Sequence, residues 1–110
     1  MHELSIADSI LRLAGEHVPP GASLQAVRIA AGPMRCIDPE SMQLAWKGVT
    51  ESRAGAIALE LETLPWTLRC PKCEREWTSR EVEMKCICGC DRPYPVGGDE
   101  LRLLSIEVDD

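Results

Sequence analysis

The sequence predicts an α+β fold: a small three-stranded sheet covered by two helices, plus an inserted zinc-ribbon-like four-cysteine module ahead of the last strand. Three observations predict it. Apolar residues recur at helical spacing over residues 4–18 and 42–49, they alternate with polar ones over 23–31, 56–64 and 101–108, and five of the six cysteines crowd between Cys70 and Cys90. Helices must bury a stripe and strands a face, so helix, strand, helix, strand, insert, strand is most simply closed as two helices on one sheet. Three strands are about the minimum for independent stability, so the last strand has to return to the sheet. The expected organisation is therefore a domain of residues 1–67 completed by the C-terminal strand 98–110, with 68–97 as an inserted zinc-binding domain.

The first helix carries Leu4, Ala7, Ile10, Leu11, Ala14 and Val18, and Pro19-Pro20-Gly21 stops it. His17, near its end, reads as a surface residue placed favourably at a helix C-terminus. Over residues 23–31, Val27, Ile29 and Ala31 alternate against Arg28, and Gly32-Pro33 ends the strand. Asp38-Pro39-Glu40 is a helix start, with Asp38 as N-cap and Pro39 at the first helical position. Met42, Ala45, Trp46 and Val49 form the inward stripe that follows, and Gly48 weakens its end. In 56–64, Ile57, Leu59 and Leu61 face in while Glu60 and Glu62 face out, until Pro65. In the last strand the apolar parity flips between Leu103 and Leu104, which predicts a bulge or a strand covered on both faces.

At 110 residues the chain can hold one small core, with or without a mini-domain, and not two full ones. Phe is absent, so aliphatic side chains must fill that core. A net charge of −6 with no run of Lys or Arg excludes the electrostatic footprint of a nucleic-acid binder and disfavours anionic membranes. No apolar run approaches a membrane span and the start does not read as a secretory signal, so the expected location is cytoplasmic. There cysteines stay reduced, and a cluster of them points to metal.

Two metal sites are legible. At the start, the Met1 α-amine, the amide nitrogen of His2 and the His2 imidazole can close fused chelate rings around one cation. An in-plane nitrogen set of that kind suits square-planar Ni(II) or Cu(II), and a bulky second residue such as His2 keeps Met1 in place. Farther on, Cys70-Pro71-Lys72-Cys73 is a C-x-x-C knuckle, and Cys86-Ile87-Cys88-Gly89-Cys90 follows after residues 74–85. Two thiolate pairs at that separation can enclose Zn(II) tetrahedrally. Cys70, Cys73 and Cys86 are the firm ligands, and the fourth is Cys88 or Cys90. Four thiolates leave no open position for a water, so the zinc is structural, not hydrolytic. Cys36, far from the rest, is expected to be a buried small apolar residue.

Met1-His2-Glu3-Leu4-Ser5 at the start, Gly32-Pro33, Pro39-Glu40, the cysteines from Cys70 and residues 100–108 occur in an order that resembles the HypA/HybF family of nickel-insertion accessory proteins for NiFe hydrogenase. The resemblance implies His2 as a nickel ligand assisted by the Met1 amine, with Glu3 nearby and Asp38 as a further acidic neighbour. It implies transported Ni(II) beside structural Zn(II), no enzymatic activity, and delivery to hydrogenase or, in some relatives, urease. The implied partners are a nickel-handling GTPase of the same maturation pathway and the hydrogenase large subunit. The chain departs from the family at the second cysteine pair, usually C-x-x-C. The competing readings are a zinc-ribbon module for protein or nucleic acid without nickel function, and a zinc hydrolase, for which no H-E-x-x-H is present.

Overall fold

In the computed structural model, which describes residues 2–51, 56–81 and 85–109, helix α1 (His2–Glu16) buries Ala7, Ile10, Leu11 and Ala14 along one stripe. A turn closed by His17 N–H to the Ala14 carbonyl (3.0 Å) leads into strand β1 (Ser23–Ala31). Helix α2 (Pro39–Thr50) opens on Asp38, whose carboxylate accepts the Ser41 backbone N–H, and it continues through Gly48 to Thr50. The Thr50 hydroxyl is buried but donates to the Trp46 carbonyl at 2.8 Å, so the last turn holds no unmet polar group.

Strand β2 (Ala58–Thr63) and strand β6 (Leu101–Asp109) flank β1 in the order β2-β1-β6. The β1–β2 pairing is parallel, from Ala26 opposite Ala58 to Ala31 opposite Thr63, and such a pair requires a crossover, which α2 supplies. β6 runs antiparallel to β1. Arg28 faces Ser105 while Ile29 faces Leu103, so Leu104 is the extra residue of a bulge, at the position where the apolar parity flips. A second register shift leaves Gln25 unmatched between Leu24 and Ala26.

Both helices lie on one face of this sheet. Their stripes meet Val27, Ile29 and Leu59 in a core completed by Met42 and Trp46. Trp46 supplies the bulk that the missing Phe residues would, and its indole N–H donates to the Ile57 carbonyl at 2.8 Å. The opposite face is solvated, with Arg28 and Glu60 exposed and 3.9 Å apart across the parallel pair. Along β2, an edge strand, Gln43 donates to the Leu59 carbonyl (2.8 Å) and Arg80 to the Thr63 carbonyl (2.9 Å), which blunts a template for foreign strands.

A second sheet follows, of β3 (Trp66–Arg69), β4 (Glu76–Ser79) and β5 (Tyr94–Pro95) in the order β4-β3-β5. Among the described residues its buried cluster is Cys70, Cys86 and Cys90 with Trp77 packed against them. The chain measures 57 × 25 × 15 Å with a radius of gyration of 17.6 Å, against about 13 Å for a compact domain of this length. It is thus two lobes end to end.

The lobes join where the chain leaves β1 and enters β6. Gly32 N–H donates to the Glu100 carbonyl (2.8 Å), Met34 N–H to the Gly98 carbonyl (2.7 Å) and Arg35 Nε to the Asp99 carbonyl (2.7 Å). Cys36 corrects the sequence expectation: it is exposed, not buried. The 3₁₀ turn Pro33–Arg35 ends on Cys36 in the left-handed region (φ 51°) with its N–H on the Pro33 carbonyl, which turns the side chain away from the core. A Cβ at Gly32 would collide with the Gly98 carbonyl and the Glu100 side chain. Gly32→Ala is therefore expected to destabilise the protein by about 2 kcal/mol, because the obstacle is backbone. Thermal melting should fall by roughly 10 °C, and a melting temperature equal to wild type would show that the junction yields freely.

Candidate metal centres

The Cys70–Cys73 knuckle sits in the turn between β3 and β4, where Cys70 N–H donates to the Arg75 carbonyl (2.9 Å) and Glu74 N–H to the Cys70 carbonyl (3.0 Å). The second cysteine segment folds on itself: Cys86 N–H donates to the Cys90 carbonyl (3.0 Å) and Gly89 N–H to the Cys86 carbonyl (2.9 Å). The two turns face each other. Cys70 Sγ lies 3.5 Å from Cys88 Sγ, Cys73 Sγ lies 3.4 Å from Cys86 Sγ, and all four sulfurs fall within 4.8 Å of one another. A tetrahedron with Zn–S bonds of about 2.3 Å spaces its sulfurs at about 3.8 Å, so this donor set, with S···S separations from 3.4 to at most 4.8 Å, fits zinc with adjustments of no more than about an ångström. The separations are far too long for disulfides, which bond at about 2.05 Å. Cys88 therefore completes the sulfur cluster; Cys90 is buried outside it.

Backbone N–H groups aim at these sulfurs, which no sequence motif announces. Cys73 N–H (3.5 Å) and Lys72 N–H (3.4 Å) point at Cys70 Sγ. Those donors, Cys73 first, and the neighbouring Cys88 thiol bring the Cys70 thiol down to about 6 against the cost of burial. The Cys88 N–H lowers Cys86 in the same way, with help from Cys73. Their neighbours move oppositely: Cys73 is raised although Arg75 N–H favours its thiolate, because Cys86 beside it resists a second charge. Cys88 receives the Cys90 N–H but is pushed up to about 12 by Cys86 and Cys70. Like charges in contact do not both ionise. The four sulfurs thus share protons as two pairs, and a divalent cation entering among them would displace the remaining protons and neutralise the charge already there.

At the other end of the molecule the N-terminal residues stand on the first turn of α1. His2 Nε2 lies 3.2 Å from Glu3 Oε2, the His2 side chain is 54% exposed and that of Glu3 12%, and Ser5 donates to the His2 carbonyl at 3.0 Å. The Glu3 carboxyl lies below its usual range, chiefly through its own backbone N–H and further through the charge of His2. Met1, whose amine the sequence reading enlists, lies outside the described residues. Asp38 is engaged as the cap of α2, accepting Ser41 N–H (3.0 Å) and Ser41 O–H (2.7 Å). Among the described residues, the four cysteines are the one group of three or more His, Cys, Asp or Glu ligand atoms close enough to hold a metal, so Asp38 is not gathered with His2 and Glu3. Also among the described residues, no helix is long and apolar enough to cross a membrane.

A family model described as HypA, hydrogenase/urease nickel incorporation metallochaperone, matches residues 1–108. The hydrogenase maturation factor HypA of Azotobacter vinelandii is 33% identical over 113 residues, covering 99% of this chain and 100% of the relative. That of Desulfosudis oleivorans is 32% identical over 114 residues, covering 98% of each. The fold is similar to the solution structure of the Ni metallochaperone HypA from Helicobacter pylori, with a TM-score of 0.61 and 22% identity over 96% of this chain and 95% of that one.

The Asp38 cap makes a pH prediction. Its carboxyl is held below its ordinary 3.8 by the Ser41 hydroxyl and then the Ser41 N–H, so its contribution is full above 3.8 and lost as pH falls through the lower folded value. Asp38→Asn keeps a capping oxygen but cannot titrate. The wild-type melting temperature should therefore drop more steeply than the variant's below pH 3.8; parallel curves from pH 2 to 7 would remove Asp38 from the acid limb.

Proposed function

Because the chain belongs to the HypA family of hydrogenase/urease nickel-incorporation metallochaperones, we propose that it carries Ni(II) at its own N-terminus and hands it on during maturation of NiFe hydrogenase or urease. The observation that carries this reading is the His2–Glu3 pair, an imidazole and a carboxylate 3.2 Å apart on the exposed first turn of a helix whose other face is locked into the core. The His2 imidazole, its amide nitrogen and the Met1 amine would form the nitrogen set, with Glu3 beside them. Asp38 serves as a neighbour that caps α2. Such a site is firm at its base and open at its top, so a receiving protein can replace its ligands one at a time. The fitting receivers are a nickel-handling GTPase and the hydrogenase large subunit, in a cytoplasm that keeps the thiols reduced.

In the second lobe Cys70, Cys73, Cys86 and Cys88 would hold Zn(II). Bound there, zinc would supply a cross-link between two turns, in a lobe whose buried cluster, among the described residues, is made of cysteines and Trp77. Trp77 packs on the sulfurs, and the Arg75 guanidinium lies over its ring at 5.2 Å from the centroid. Four sulfurs leave no open position, so this lobe shapes and presents; it does not catalyse.

Two experiments test the assignment. His2→Ala should weaken Ni(II) binding, read by calorimetry, by more than the ~100-fold that loss of even an outer-shell partner can cost. One residue added ahead of Met1 should also weaken it, and an unchanged affinity would remove the amine from the ligand set. Cys73→Ala should lower zinc from about one ion per chain and shift the NMR indole signal of Trp77 while leaving that of Trp46. Zinc content equal to wild type would sink the four-cysteine assignment.

A further inference from the structure

The second cysteine segment contains one more sulfur than a tetrahedral site uses. Cys90 is 5% exposed, in the same buried cluster as Cys70 (0%) and Cys86 (3%), whereas Cys88 is exposed. Among the described residues, no hydrogen bond engages the Cys90 thiol, although its backbone is fully employed. Its carbonyl accepts from Cys86 N–H at 3.0 Å and its N–H is directed at Cys88 Sγ. Cys88 and Cys90 flank Gly89, which stands at φ +96° with nothing within 4 Å of where a Cβ would be. The turn is thus closed by the Cys86 N–H on the Cys90 carbonyl, and left-handed Gly89 is the hinge between the Cys88 sulfur, which faces Cys70 in the cluster, and the Cys90 thiol, which is buried beside it.

We propose that Cys90 is a reserve fourth ligand of the zinc site, taking the place of Cys88 when the sulfur of that exposed residue is drawn away. This rests on the reading of Cys70, Cys73, Cys86 and Cys88 as the zinc ligands. In the exchange the metal–sulfur bond to Cys88 breaks and one to Cys90 forms. The proton leaving the Cys90 thiol goes, through solvent, to the released Cys88 sulfur, so charge and electron count at the site are unchanged. The metal keeps four thiolates throughout, as structural zinc requires. The consequence is a lobe that can offer an exposed thiol to a partner or a competing metal without losing its cross-link. A buried cysteine acting only as filler would give no such protection.

The test is a zinc competition titration with a chromogenic chelator on the full chain, comparing wild type, Cys90→Ala, Cys88→Ala and the double variant. Cys90→Ala should bind zinc as wild type does. The double variant should bind about 100-fold more weakly than Cys88→Ala, which is the scale of one ligand's share in a four-ligand structural site. With Co(II) in place of zinc, Cys88→Ala should keep the thiolate-to-metal charge-transfer intensity of four sulfurs and the double variant should show that of three. Equal zinc affinities for Cys88→Ala and the double variant, including a Cys88→Ala chain that fails to fold with zinc, overturn the proposal. A wild-type chain that takes up no zinc is a different result: it overturns the four-cysteine zinc reading, and the reserve ligand with it.

Discussion

Strand β6 pairs along β1 from Leu101 opposite Ala31 to Asp109 opposite Ser23, and without it the first lobe would be a single parallel pair under two helices. The chain has to leave at the end of β2 and come back to the far edge of β1. Everything between Thr63 and Leu101 is therefore a loop whose two ends are held by the sheet. Its return is guided by the backbone N–H groups of Gly32 and Met34, which donate to the carbonyls of Glu100 and Gly98, and by the Arg35 side chain, which donates to that of Asp99. Gly32 has no side chain because β6 enters through the space that one would fill.

That constraint explains why the second lobe is built as it is. It hangs from two closely held ends with a four-residue strand as its centre, in which Leu68 alone is buried, and its buried cluster among the described residues is made of cysteines with Trp77 against them. The price is electrostatic: thiolates in contact repel, and in the protein alone the thiols settle it by alternation, Cys70 and Cys86 towards thiolate, Cys73 and Cys88 towards thiol. Backbone N–H groups at the ligating sulfurs lower the remaining cost. At the N-terminus the logic is reversed: the His2–Glu3 pair is exposed and borrows its rigidity from a helix already anchored by Ala7, Ile10, Leu11 and Ala14. One centre is enclosed and the other open, which is the division a carrier of metal needs.

Much of the fold was legible because it depends on local periodicity. The stripe of α1, the alternation of β1 and β2, the Asp38 cap with Pro39 at its first turn, and the parity flip at Leu104 are all properties of residues a few positions apart. The cysteine group was legible for a similar reason, since its donors belong to two short motifs whose spacing lets them face one another. Cys36 was misplaced because its isolation in sequence favours burial, whereas a left-handed residue closing a 3₁₀ turn exposes it.

Composition and spacing by themselves determined the two-helix, three-strand lobe, the cysteine insert and the donor chemistry at each end, because propensity, amphipathic period and ligand type act within one or two turns of chain. Only the tertiary structure decided that β1 and β2 run parallel through the α2 crossover, that Arg35 and Arg80 tie carbonyls distant in sequence, and that Cys88, not Cys90, faces Cys70. Those outcomes turn on distances of an ångström or two between segments far apart in the chain. Cys88 and Cys90 are chemically identical and differ in position by one glycine hinge, so nothing short of the folded path of the turn could place one sulfur in the cluster and the other behind it.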